Sequence, residues 1–142
     1  FEQGHYAYDW AYSGFVDLPK HFFPKIGNLQ DKGEEFECAE FLATQLEGVK
    51  CWVRNVERKP TSFSLQTSTD RFYPDFICLL EDGRILVVEY KNTKDWENPD
   101  SEEKRTLGEL WERRSNGKCL FTMPRGQDWE EIRRKCRSPS TG

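Results

Sequence analysis

Apolar and polar positions are patterned most clearly between residues 72 and 91. There Phe72-Tyr73-Pro74-Asp75-Phe76-Ile77-Cys78-Leu79-Leu80 is followed, across Glu81-Asp82-Gly83, by Arg84-Ile85-Leu86-Val87-Val88-Glu89-Tyr90-Lys91. Two short apolar runs bounded by polar residues predict two strands, and their greasy faces on both sides predict places inside a sheet. A three-residue hairpin loop with glycine in the left-handed position suits Glu81-Asp82-Gly83. That register sets Leu79 opposite Ile85, Ile77 opposite Val87 and Asp75 opposite Glu89. Opposed residues share a face and side chains alternate, so Asp75, Glu89 and Lys91 then project from one side. A two-residue loop at Asp82-Gly83 would instead oppose Asp75 to Tyr90 and break up the charges. The three-residue register is the expectation.

Helical spacing of Phe36, Ala39, Leu42, Ala43 and Leu46 predicts a helix from near Gly33 to about Glu47, ended by Gly48. A strand is expected over Lys50 to Val56. The Ser- and Thr-rich stretch from Glu57 to Arg71, interrupted by Pro60, reads as a loop or a ragged edge pairing. A polar connector, Asn92 to Pro99, leads to a second helix, capped by Asp100 or Ser101 and running to Ser115 with Leu107, Leu110 and Trp111 as its core stripe. Gly108 lowers helix propensity in that element, a cost accounted for by close approach to the sheet. Lys118 to Met123 is expected as a last core strand, and Asp128 to Cys136 as a short helix. Residues 1–33 are aromatic-rich and irregular, a lead-in that packs on the core and connects back to a preceding domain. The expected units are therefore a lead-in (1–33), an α/β core (34–123) ordered helix, three strands, helix, strand, and a tail (124–142).

At 142 residues the chain suits one domain with its own core. It lacks an initiator methionine, which predicts a fragment of a longer protein. No apolar run reaches membrane-spanning length. The five cysteines (Cys38, Cys51, Cys78, Cys119, Cys136) are widely spaced with no C-x-x-C pair, as expected for reduced thiols of a cytoplasmic protein. His5 and His21 have no partner at metal-ligand spacing and read as structural or solvent-facing. The net charge of −4 is unlike the basic footprint of most nucleic-acid binders. Glu34, Glu35, Glu37, Glu40, Glu102 and Glu103 supply much of it, and other domains would have to supply a grip on DNA. The one dense basic run, Arg133, Arg134, Lys135 and Arg137, is expected as a solvated end.

Two adjacent carboxylates repel unless a cation sits between them. Mg²⁺ takes oxygen ligands and typically uses one or two carboxylates plus substrate phosphate. Lys91, two residues beyond Glu89, would reach the same phosphate or the attacking water. This is chemistry for phosphodiester hydrolysis, and no Ser–His or Cys–His pairing competes with it. Arg71, near Asp75, and Lys104 and Arg105, one turn before the stripe of the second helix, are candidate DNA contacts, with the loop hydroxyls as minor ones. The plain alternative is a hairpin whose end charges are merely solvated.

Pro74-Asp75 and Glu89-Tyr90-Lys91, spaced by a strand, a turn and a strand, resemble the PD-(D/E)xK nuclease superfamily. Within it, Glu34-Glu35-Phe36-Glu37-Cys38-Ala39, Val49-Lys50-Cys51-Trp52-Val53-Arg54-Asn55, Ser68 to Phe76, Gly83 to Lys91 and Lys104-x-x-x-Gly108-x-x-Trp111 look like the C-terminal nuclease domain of type III restriction (Res) subunits and related helicase–nuclease proteins. The resemblance implies a restriction-endonuclease-like αβββαβ core with a central mixed sheet flanked by helices. It implies Mg²⁺, with Mn²⁺ as a substitute, held by Asp75, Glu89 and the carbonyl of Tyr90. Lys91 would be catalytic, and Glu35 would join through a water, with Glu37 and Glu40 as fallbacks; a helix-dipole role accounts for Glu35 equally well. It further implies DNA as substrate, an ATP-dependent helicase domain ahead of the chain and a methyltransferase (modification) subunit as partner. Two alternatives stay open: a catalytically silent docking fold, and cleavage of RNA or branched DNA.

Overall fold

The computed structural model describes residues 4–137. Its elements are α1 (Glu34–Glu40), β1 (Val49–Arg54), β2 (Leu65–Gln66), β3 (Arg71–Phe72), β4 (Phe76–Leu80), β5 (Ile85–Val88), α2 (Pro99–Arg114), β6 (Cys119–Thr122) and α3 (Trp129–Arg137). A four-stranded mixed sheet runs β1-β4-β5-β6, antiparallel from β1 to β5 and parallel from β5 to β6. The return through α2 is what makes the last pairing parallel, since parallel neighbours need a long crossover. β2 and β3 form a separate ribbon of two residues each, which is the ragged pairing expected of the hydroxyl-rich stretch.

The central hairpin has the three-residue register. Ile77 pairs with Val87, Leu79 with Ile85, and Leu80 N–H donates to Arg84 O at 2.9 Å. Gly83 turns the chain at φ 91°, in the left-handed region where a Cβ is costly. β4 and β5 both lie inside the sheet, which accounts for their apolar residues on both faces. One face packs Trp52, Phe76 and Leu86 against Phe36 and Leu42 of the first helix and Ile132 of α3. The other packs Ile77, Val87 and Phe121 with Phe72, Leu107 and Trp111. Fully burying a side chain of this size contributes about 1.5–3 kcal/mol, so both layers are needed to hold the strands.

The first helix departs from expectation at its C-terminal half. α1 stops at Glu40 and the chain widens into a π-helical turn over Phe41–Gln45, where Leu46 N–H donates to Phe41 O at 3.0 Å. Phe41, Leu42 and Ala43, all within this turn, are buried in the core. Thr44 Oγ1 donates to Glu40 O at 2.7 Å, the back-bonding that commonly loosens a helical ladder.

α2 also begins differently. Asn98 Oδ1 accepts Ser101 N–H at 2.8 Å and is the cap, with Pro99 at the first helical position. The Ser101 hydroxyl turns back to Asp95 O, and neither Asp100 nor Ser101 caps the helix. Gly108 meets the sheet as expected: a Cβ there would lie 2.3 Å from Phe121 Cδ1.

Both sheet edges are covered. Beside β1, Trp52 N–H donates to Lys20 O at 2.9 Å and Phe22 N–H donates to Trp52 O at 2.8 Å, so the lead-in pairs where the sequence suggested no strand. Trp52 Nε1 adds a bond to Pro19 O. Beside β6, Glu112 Oε1 accepts Phe121 N–H at 2.7 Å and Trp96 Nε1 donates to Met123 O at 2.9 Å. Side chains thus occupy ladder positions that would otherwise recruit another strand.

All five cysteines are free thiols, but only Cys38 and Cys78 are fully buried. No helix among the described residues is long and apolar enough to cross a membrane. The basic run on α3 is largely spent internally: Arg133 and Arg137 pair with Glu130, Arg134 with Glu131, and Lys135 with Glu112.

Candidate active site

The hairpin register carries on past the ladder to its open end, where Asp75 and Glu89 meet. Asp75 N–H donates to Glu89 Oε1 at 3.1 Å, and Tyr90 N–H donates to Asp75 Oδ2 at 2.9 Å. Each acid thus receives a backbone donor from the strand opposite, which fixes the pair without any flexible linker. Pro74, which has no N–H to place in a ladder, ends the pairing just before Asp75. Asn55 secures the same corner: its N–H donates to Asp75 O at 2.8 Å and its side-chain amide to Pro74 O at 2.8 Å.

Glu89 is only 6% exposed and forms no ion pair with a described residue. Burial, and then the charge of Asp75, push its carboxyl well above the usual range, while Lys104 and Lys91 pull it back down. A buried acid in that state takes up a proton or a cation. Lys91 lies at the end of the same strand, tied to the β6 side by Gly126 N–H donating to its carbonyl at 2.8 Å. Its charge is felt by both Glu89 and Glu35. Lys104 stands over the Phe72 ring at 5.2 Å and pairs with Asp100 at 3.1 Å.

Arg54, which the sequence did not single out, lies at the centre of the charges. Its Nη1 donates to Asp75 Oδ1 and to Asp75 O, each at 3.1 Å, and its Nη2 pairs with Glu35 Oε1 at 2.5 Å. Glu35 is therefore near the site but reaches Asp75 through the guanidinium. Burial raises its carboxyl to about 7, with Asp75 adding to the rise and Arg54 opposing it. Glu34, expected only as one of the acids behind the net charge, accepts the Tyr90 hydroxyl at 2.5 Å. Burial, then that acid, push the Tyr90 phenol upward. Glu37 is exposed and Glu40 half-buried.

Two proposed nucleic-acid contacts point elsewhere. Arg105 stacks on Trp96, its guanidinium 3.6 Å from the ring centre, and donates to the Trp96 carbonyl. Arg71 is exposed and donates to Ser64 Oγ at 3.1 Å across the small ribbon. Nothing ties either to the acids.

The donor set tests the metal expected here. Among the described residues no three acidic, histidine or cysteine side chains converge as ligands, so a three-carboxylate cluster with Glu35 is not formed. Two hard carboxylates remain, Asp75 and Glu89, the second buried and in no ion pair with a described residue. That set fits Mg²⁺, which commonly takes one or two carboxylates and fills its shell with phosphate and water. A pocket of about 480 Å³ is lined by Asn55 together with Tyr6, Phe23, Val53, Phe63 and Ile77 among others, and the acids take no part in it.

The comparisons with known proteins add no relative. No protein-family model matches the chain, and no curated protein or solved structure matches it.

Proposed function

We propose that the chain is a metal-dependent nuclease module of the PD-(D/E)xK type, hydrolysing phosphodiester bonds of DNA. The observation that carries this reading is the Asp75–Glu89 pair at the open end of the central hairpin, with Glu89 buried and in no ion pair with a described residue. The order of α1, three antiparallel strands, α2 and a parallel strand supports it, being the order of the restriction-endonuclease-like core.

Asp75, Glu89 and the Tyr90 carbonyl would hold one Mg²⁺ or Mn²⁺. When bound, such an ion polarises the scissile phosphate and lowers the pKa of water. The chain's own residues do the rest. Asp75 and Glu89 are oriented by each other's strand, so the donors are preset before substrate arrives. Lys91 offers an ammonium for the charge that develops on the phosphate oxygens or for aligning the water. Lys104 adds positive potential behind Glu89. A longer parent chain, with an ATP-dependent helicase domain ahead and a modification subunit beside it, would supply the DNA grip that a net charge of −4 does not.

The rival reading, a nuclease-like fold without catalysis, draws on Arg54: a guanidinium already bound to Asp75 does part of a cation's work. Both readings meet in one experiment. Supercoiled plasmid, single-stranded DNA and RNA are incubated with stoichiometric protein at low salt, with Mg²⁺, Mn²⁺ or chelator, beside the Glu89→Gln variant. Metal-dependent cutting by the unsubstituted chain and none by the variant is the expected result. Which of the three is cut identifies the substrate. No cutting of any, together with no Mn²⁺ uptake in calorimetry, overturns the enzymatic reading.

A further inference from the structure

Arg54 is held from behind as firmly as it holds in front. The Tyr6 hydroxyl donates to its carbonyl at 2.7 Å, and its N–H donates to His21 Nε2 at 3.0 Å. Both partners belong to the aromatic lead-in, where Tyr6 stacks on Phe23 at 4.6 Å and His21 stands edge-on to Trp52 at 4.8 Å. With its backbone clamped, the side chain runs past the Phe76 ring, its guanidinium 5.4 Å from the ring centre, to the two acids. Its side chain is only 13% exposed, and Nε is buried with no acceptor. A guanidinium gives up one donor in this way only if the remaining contacts hold it, because an unsatisfied buried donor costs about 1–3 kcal/mol.

We infer that Arg54 is the positioning residue of the acidic site: a resident cation that fixes Asp75 and Glu35 on one side and confines a divalent ion to the Asp75–Glu89 side. This rests on the metal reading above for its second half only. The geometry assigns each Asp75 oxygen a distinct neighbour, Oδ1 facing Arg54 and Oδ2 facing the Tyr90 N–H. Between Asp75 and Glu35 the space that a second ion would use is filled by the guanidinium. The lead-in is then part of the site, since Tyr6 and His21 set where that charge stands.

The test has two arms. In the metal-free arm, melting is measured for Arg54→Met, Asp75→Asn and the double variant. The loss caused by Arg54→Met should shrink by more than half once Asp75 is already Asn, because the two residues act as a unit. Additive losses overturn the proposal. In the second arm, Mn²⁺ is titrated calorimetrically into the parent, Arg54→Lys, Arg54→Met, and Arg54→Met combined with Glu35→Gln. The parent and the Lys variant should take one ion. Arg54→Met should take a second, weaker one that disappears with Glu35→Gln. A purely structural arginine would lower uptake in the Met variant, and two ions in the parent would leave no role for a resident cation; either result overturns the proposal. If none of the proteins takes Mn²⁺, the confinement of a divalent ion is overturned, and the melting arm decides whether Arg54 positions Asp75. Arg54→Lys keeps the charge and guards against a Met variant that fails to fold.

Discussion

Glu89 accepts the backbone N–H of Asp75 at 3.1 Å, so the two acids that repel each other are joined through the main chain. Asp75 has a counter-ion in Arg54, whereas Glu89 has none among the described residues. The two carboxylates therefore respond to neutralisation in opposite directions. Without metal at pH 8, Glu89→Gln replaces a carboxyl that must be buried charged or take up a proton on folding, while its amide oxygen still accepts the Asp75 N–H, and melting should rise. Asp75→Asn leaves a buried guanidinium short of its partner, and melting should fall. Mn²⁺ at about 100 times its Kd adds about 2.7 kcal/mol to the parent, a rise of roughly 5–10 °C, by binding the folded state alone. Both variants should lose that rise. A metal-induced shift that survives in either one removes that residue from the metal site.

Gly108→Ala should destabilise the protein, against helix propensity. Alanine gains about 1 kcal/mol over glycine in a helix interior. Its methyl would stand 2.3 Å from the ring of Phe121, which is buried and packed edge-on against Phe72. Overpacking of that kind costs about 1–3 kcal/mol, so the net is a loss of about 1 kcal/mol. Urea unfolding of the two proteins measures it directly. Equal or higher stability in the variant would mean that α2 can lift from β6.

These two cases mark what could be read from the chain beforehand. The register of the hairpin was legible because a glycine-closed turn and two apolar strands leave few pairings, and Asp75 and Glu89 came with it. Gly108 was legible for the same reason: glycine in a helix interior needs a neighbour to explain it. Arg54 was not, since a single basic residue on an alternating strand has no local pattern, and its partners are twenty or so residues away on either side. The π-helical turn left a faint signal. Phe41 lies off the helical stripe, yet it is a large apolar residue, and the structure buries it beside Leu42 and Ala43 within the widened turn. The pairing of the lead-in with β1 escaped notice because its bonds come from backbone groups around Pro19 and Lys20, where side chains carry no alternation.

The His21 ring should make stability fall in mild acid. Nδ1 lies 2.9 Å from Phe23 O and Nε2 accepts the Arg54 N–H, so only the neutral ring protonated at Nδ1 serves both. Burial lowers its pKa from 6.5 to about 4, with the Phe23 carbonyl opposing. A group with a depressed folded pKa contributes stability that is full above pH 6.5 and is lost as pH falls towards 4. The shift is worth about 3 kcal/mol at most. Glu35, raised to about 7, acts in the opposite sense over part of this range, so the parent's profile alone is ambiguous. The reading to take is the difference in melting between the parent and His21→Gln, which should shrink steadily from pH 7 to pH 4.5. A constant difference would show that the ring titrates in the folded protein as it does in the unfolded chain, exposed to water.

Lys91→Ala should separate binding from cleavage. Several cations near the site are already paired: Arg54 with Asp75 and Glu35, Arg58 with Asp70, Lys59 with Asp9, Lys104 with Asp100 and Arg125 with Glu97. Lys91 forms no ion pair with a described residue, and its charge reaches the acids of the site. Each phosphate neutralised contributes about −0.9 to the slope of log Kobs against log salt, so a chain of net charge −4 whose cations near the site are mostly paired should bind duplex DNA weakly, with a slope of roughly −1 to −3. Losing Lys91 should flatten that slope by about 1 and leave most of the weak affinity at low salt. Metal-dependent cutting should disappear, because the same ammonium serves the phosphate at the moment charge builds on it. Mn²⁺ uptake by Asp75 and Glu89 should persist or strengthen, since a nearby positive charge is gone. The measurements are a salt series of DNA binding, a Mn²⁺ titration and a nicking assay on parent and variant together. Undiminished nicking removes Lys91 from the chemistry, and a slope much steeper than expected in the parent means that DNA meets a basic surface other than this one.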